Sequence, residues 1–255
     1  LKLFEVPEFV VPYINKFVSD EDMDLVVSLD GKKMTAAEMS LKLGVSEEET
    51  LEKMEDAYLR SVLNKDKDDK KLYVSANFYE KLDYQCKFDE NYTEIPKKVR
   101  DELDKWCYDE YKVLMKPFLD KVIKDEPTER TAETFLLLGD VDEYLSKSEN
   151  FRVVKCNCRS LKEGCTRPTE TCLRFDRAIN ERTFGREITK DEAKEIILNA
   201  DKKGLMHKVR VDWRENGPTT MCNCCGCCCY PMRIANDEDF NSHGKWPLAL
   251  NIARY

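Results

Sequence analysis

Apolar positions recur at helical spacing over most of the first half of the chain. Ser19-Asp20-Glu21 opens an amphipathic segment that runs to about Leu29 and stops at Asp30-Gly31. Thr35 with Glu38 three residues on makes a capping box, Leu41 and Leu43 follow, and Gly44 stops the helix. Ser46 caps the next helix with Glu49 at the box position, and Leu51, Met54, Leu59, Val62 and Leu63 form its apolar side. A charged loop from Asn64 to Lys71 leads to a short strand at Leu72-Tyr73-Val74. Residues 96–123 predict one long amphipathic helix or two, with Trp106, Tyr111, Leu114, Phe118 and Leu119 inward and a kink at Pro117. Residues 124–133 are polar, contain Pro127 and predict a linker or surface loop. Farther on, Thr189 and Glu192 form a third capping box ahead of a stripe of Ala193, Ile196, Ile197 and Ala200 that Gly204 ends. Weak alternation from Met206 to Val211 predicts a strand.

The early order of helix, Gly turn, longer helix, polar loop and strand looks like a winged helix-turn-helix. Its charge disfavours DNA. The second helix begins Ser46-Glu47-Glu48-Glu49, and residues 35–74 carry ten acidic against seven basic residues, the reverse of what a phosphate backbone demands. Docking onto a protein is the alternative use of such a module.

Charge then divides the chain. Residues 1–150 hold 23 Lys and Arg against 36 Asp and Glu, a net of −13, and residues 151–255 hold 19 against 14, a net of +5. Cysteine divides at the same place. Ten of the twelve fall between Cys156 and Cys229, while Cys86 and Cys107 stand alone and predict buried small apolar residues. This predicts an α+β protein: a mostly helical, winged-helix-like domain over 1–95, a helical linker region over 96–150, and a small αβ cysteine-rich iron–sulfur domain over 151–255. No apolar run reaches membrane-spanning length, and Leu1–Tyr13, with Lys2, Glu5, Glu8 and two prolines, does not read as a signal peptide, so a cytoplasmic location is expected.

The cysteines carry the candidate chemistry. Cys156, Cys158, Cys165 and Cys172 are spaced C-x-C-x6-C-x6-C, and Cys222, Cys224, Cys225, Cys227, Cys228 and Cys229 occupy six of eight consecutive positions. Disulfides suit small secreted domains, and adjacent cysteines pair only under strain. Tetrathiolate zinc favours C-x2-C knuckles, which Cys222–Cys225 and Cys225–Cys228 supply but the x6 intervals do not. His207 and His243 are single and predict surface or partly buried histidines rather than ligands. Iron–sulfur chemistry fits best, because Cys222-x2-Cys225-x2-Cys228 has ferredoxin-loop spacing. The usual closing Cys-Pro is absent, with Met232 at that position, so the closing ligand must come from elsewhere, and the first set of cysteines can donate it. Expected metal ligands are Cys156, Cys158, Cys165, Cys172, Cys222, Cys225 and Cys228, with Cys224, Cys227 and Cys229 completing the cofactor-binding set around one or two [4Fe-4S] clusters. Arg152, Lys155, Arg159 and Arg167 stand beside the first set as counter-charges to an anionic cluster.

Phe151 to Arg159, followed by Cys165, Pro168, Glu170 and Cys172, resembles a block in 4Fe-4S ferredoxin-type iron–sulfur proteins of anaerobic bacteria and archaea. Ile188–Ala193, Lys203–His207 and the cysteine run continue the resemblance, which spans about residues 134–230. It implies cluster binding, and it implies a winged-helix-like region before the block and C-x2-C-x2-C-x3-C-P repeats after it. No such repeats follow here, although Leu248–Tyr255 looks like the lead-in to one. The function expected is electron transfer to a redox partner protein. The alternatives are a reductase with an open cluster site, or a redox- or metal-sensing winged-helix regulator. No G-x-G-x-x-G or G-x4-G-K-[ST] motif occurs, so no nucleotide partner is expected.

Overall fold

The computed structural model describes residues 2–124, 126 and 133–235, and it is α+β. Most of the 124–133 segment, His243 and the tail Leu248–Tyr255 lie outside these residues, as do the side chains of Leu119, Val122 and Ile123. The chain divides into two compact units, residues 1–100 and residues from 101 onward.

In the first unit, three helices, α1 (Asp20–Leu29), α2 (Ala36–Leu43) and α3 (Glu47–Leu59), precede a two-stranded antiparallel sheet of β1 (Leu63–Lys65) and β2 (Tyr73–Ser75). Helix α4 (Phe78–Phe88) follows. Local chemistry sets the helix starts. The hydroxyls of Ser19, Thr35 and Ser46 each accept a bond from the third amide of the helix behind them. Asp22 and Glu38 complete reciprocal boxes. Glu49 does not; its carboxylate pairs with Lys53, so Ser46 caps alone. Asp30 and Gly44 end α1 and α2 in the left-handed conformation. Leu25, Leu29, Met39, Met54, Val62, Leu63, Tyr73 and Phe78 make the core. Leu51 and Leu59, expected inward, are exposed, because Thr50, Met54, Ala57 and Tyr58 form the buried face of α3. The Arg60 guanidinium forks onto the buried Asp22 carboxylate at 2.6 and 2.9 Å and ties the end of α3 to the start of α1.

Helix α5 (Lys97–Ile123) is continuous through Pro117 and crosses the division between the units. Val99, Leu103, Cys107 and Met115 are its buried positions, and Leu114 is 64% exposed. The apolar side is rotated from the predicted one: the buried residues follow a four-residue step on which Tyr111 also falls, whereas Leu114 lies off it and Trp106 is only half-buried.

The second unit holds one antiparallel sheet in the order β3-β7-β8-β5-β4-β6. Its strands are β3 (Glu133–Phe135), β4 (Phe151–Lys155), β5 (Glu170–Phe175), β6 (Arg186–Ile188), β7 (Met206–Arg210) and β8 (Thr220–Cys224). Between them lie α6 (Val141–Ser146), α7 (Asn157–Lys162), α8 (Lys190–Lys202) and α9 (Trp213–Asn216), and α10 (Tyr230–Ala235) closes the described chain. One sheet face presents Phe151, Val153, Leu173, Phe175, Val209 and Met221 to α6 and α8, and Ala193 and Ile197 of α8 pack there. The compositional break near residue 150 therefore falls inside this unit. Leu136, Val141, Tyr144 and Leu145, all before that break, belong to the core, and β3 pairs with β7.

Candidate metal centre

Strand alternation aims the cysteines. In antiparallel pairs, directly opposed residues share a face. Leu173 opposes Met221 and both enter the core, so their neighbours Cys172 and Cys222 turn to the other face. Cys224 lies two residues past Cys222 on the same side, and Lys208 stands opposite Cys222. Cys156 follows the end of β4, Cys158 opens α7, and Cys229 directly precedes α10.

Ten of the eleven cysteines of this unit, all but Cys107 of α5, form two groups, and neither is one of the two sequence clusters. Cys165, Cys225, Cys227 and Cys228 bring their sulfurs within 4.8 Å of one another. Two edges of this group measure 3.8 Å (Cys165–Cys227) and 3.6 Å (Cys227–Cys228). Cys225 and Cys228 are buried against Ala200 and Leu205, whereas Cys227 is exposed. The second group is a closed ring. Cys229 lies 3.3 Å from Cys224, strand register sets Cys172 beside Cys222, and the remaining neighbours are linked by electrostatic interaction: Cys156 with Cys158 and Cys172, Cys158 with Cys229, and Cys224 with Cys222. The expected loop of Cys222, Cys225 and Cys228 is therefore split. Cys222 lies inside β8 and follows its alternation, whereas Cys225 and Cys228 lie past the strand end and turn away. Cys165, from the first sequence cluster, is the fourth thiol of the group with Cys225, Cys227 and Cys228.

Proton affinities alternate around the ring. Thiols donated by Cys158 and Cys172 pull Cys156 down to about 3, with the Arg159 charge adding to them against burial. Cys222 and Cys229 are likewise held low by bonds from their ring neighbours, Cys172 and Cys224 for the first and Cys158 and Cys224 for the second. Cys158, Cys172 and Cys224, which donate those bonds, are pushed up.

Two cations, the buried Arg159 and the partly buried Lys208, serve the groups. Burial would lower the Arg159 pKa, but the charges of Cys156 and Cys172 and its interaction with Cys225 raise it, so thiols of both groups act on one guanidinium. Its Nη1 also donates to the Asn223 carbonyl at 2.8 Å, and Nη2 to Thr171 Oγ1. Lys208 is similar: burial is outweighed by Cys222, Glu133, Cys224 and Cys229. Sequence reasoning flagged Arg159 by its position but not Lys208, whose relation to Cys222 exists only through strand pairing. The other expected counter-charges go elsewhere. Arg152 bonds the carbonyls of Phe184 and Gly185, Arg167 bonds that of Lys203, and Lys155 is exposed. His207 is buried, its Nδ1 against Asn223 Oδ1, and it joins neither group.

Compared with known proteins, the chain matches no family model, no curated protein and no solved structure. The chemical character of the centre therefore rests on its donors. Four thiolates at about 2.3 Å from one tetrahedral ion stand ~3.8 Å apart, the separation of the Cys165 group. That group is able to bind a metal ion. A four-iron cubane, which carries each thiolate on a different iron, needs these sulfurs spread wider. Among the described residues, no helix is long and apolar enough to cross a membrane.

Proposed function

We propose that this protein is an electron carrier of the iron–sulfur class, with iron bound by the cysteines of its second unit. The observation that supports this most is the placement of the thiols: a tetrathiolate group with Cys227 at the surface, and six more thiols behind it that share Arg159 with it. Iron in such a setting supplies one-electron transfer. The exposed edge gives a donor or acceptor protein access, while buried Arg159 and Lys208 offset thiolate charge and stabilise the more negative, reduced state. A single iron suits the tetrathiolate spacing as it stands, and a [4Fe-4S] cluster there requires the thiols to move apart.

The first unit serves as the docking module for that partner. Its order of three helices and a small sheet is winged-helix-like, but Glu47, Glu48 and Glu49 are exposed at the start of α3 and repel phosphate. A salt-sensitive complex with duplex DNA, measured by fluorescence anisotropy, would promote the regulator reading instead.

A second reading, structural zinc, is favoured by the same 3.6 and 3.8 Å separations. Protein made without oxygen separates the two. Iron, with a visible spectrum that bleaches on reduction, supports the carrier. A colourless protein holding stoichiometric zinc overturns it.

A further inference from the structure

We infer that Cys156, Cys158, Cys172, Cys222, Cys224 and Cys229 form a second metal centre, separate from the tetrathiolate, that holds at least two metal ions. The inference rests on the reading of this unit as a thiolate metal protein, but not on the metal being iron.

Strand register places Cys172 beside Cys222, Cys224 follows two residues on from the same face, Cys229 lies 3.3 Å from Cys224, and each of the six thiols interacts electrostatically with two others of the set. Its members come from four places in the chain: the end of β4 and start of α7, the middle of β5, alternate positions of β8, and the residue before α10. No local sequence preference gathers these positions; the sheet does. The neighbouring backbone is fixed by buried polar contacts. Asn223, between Cys222 and Cys224, donates to the Thr171 carbonyl at 2.6 Å, beside Cys172. Asn157 Oδ1 accepts from the Cys158 amide at 2.8 Å.

Six thiols are too many for one ion. Borderline-soft divalent metals take four thiolates, because a fifth and sixth crowd negative charge at the same centre. Two four-coordinate ions that share two bridging thiolates use six in all, as in two-metal, six-cysteine modules. Two divalent ions displace the remaining thiol protons and leave the six-thiolate centre with a net charge of roughly −2. Lys208 and Arg159, both facing the ring, and Arg174, whose charge bears on Cys222, supply the balancing cations. Inorganic sulfide bridging would enlarge the centre without changing its ligands.

Native mass spectrometry of the full chain prepared without oxygen, with elemental analysis, tests this. At least three metal ions per chain are expected. Cys165→Ser/Cys227→Ser should lose the tetrathiolate's complement and keep two or more ions. Cys172→Ser/Cys222→Ser should keep the tetrathiolate's complement and lose two or more. Fewer than three ions in the unmodified chain, or an unchanged count in the ring variant, overturns the inference. So do disulfides mapped to the ring cysteines. If the double ring variant does not fold, Cys229→Ser takes its place: loss of at least one ion is expected, and an unchanged count overturns. Three or more zinc ions would defeat the iron carrier and leave the ring standing, whereas iron with an unchanged ring-variant count would do the reverse.

Discussion

Nδ1 of His207 donates to Oδ1 of Asn223 at 2.5 Å across the β7–β8 ladder, with both residues buried. Asn223 spends its amide group on Thr171 in β5 and its backbone carbonyl on Arg159. One side chain therefore pins β8 to both neighbouring strands and sets the side of the sheet on which Cys222 and Cys224 emerge.

Replacing Asn223 with Ala should leave the His207 Nδ1–H and the Thr171 carbonyl buried without partners. A loss of about 1–3 kcal/mol is expected, read as a lower denaturant midpoint for the second unit by tryptophan fluorescence. Metal content should fall with it, since Cys222 and Cys224 lose their fixed direction.

Arg159→Gln should leave the cysteines in place and remove the charge between the two groups. Metal should be lost to a competing chelator about 10–100-fold more readily than from the unmodified protein, the usual scale for a residue supporting metal ligands. An equal rate of loss would show that the guanidinium is structural only.

Gly185 lies at φ +86°, and a Cβ there would stand 2.2 Å from the Val153 carbonyl oxygen and 2.5 Å from Val154 Cγ1. Neither neighbour is free to withdraw, since Val153 and Val154 are buried in β4. Gly185→Ala should cost about 3 kcal/mol or more and loosen β6 from β4, seen as faster amide exchange over residues 186–188.

Asp22→Asn gives a pH signature. Burial acts to raise the Asp22 carboxyl, but bonds from Arg60 and Ser19 outweigh it and hold it below its ordinary value. A depressed carboxyl stabilises the fold above its unfolded-state pKa and loses that contribution as pH falls through the folded-state value. The unmodified protein should exceed the variant by about 1–3 kcal/mol near neutral pH, and the gap should close below about pH 4. Urea unfolding followed by circular dichroism at both pH values measures it.

At several helix ends, where the deciding interaction spans a few residues, the sequence alone determined the outcome, although Glu49 leaves its expected box for Lys53. Thr35 with Glu38 and Thr189 with Glu192 form their boxes as the spacing predicts. Asp30 and Gly44 stop their helices, and α8 buries Ala193, Ile197 and Ala200. The density of thiols pointed to metal chemistry before any coordinates, and a cysteine group able to bind a metal is present. Partition of those thiols was beyond the sequence. Cys172 and Cys222 meet because β5 and β8 pair in one register, and slipping that register by one residue would turn one of the two into the apolar core. Cys165 leaves its sequence neighbours for Cys227, 62 positions away. Lys208 becomes a counter-charge only by standing opposite Cys222, and Leu136 to Leu145 join a core that composition placed on the far side of a boundary. Helix caps and stripes are fixed by contacts within about four residues. Which cysteines share a centre is fixed by strand register and chain return, and only the folded sheet supplies those.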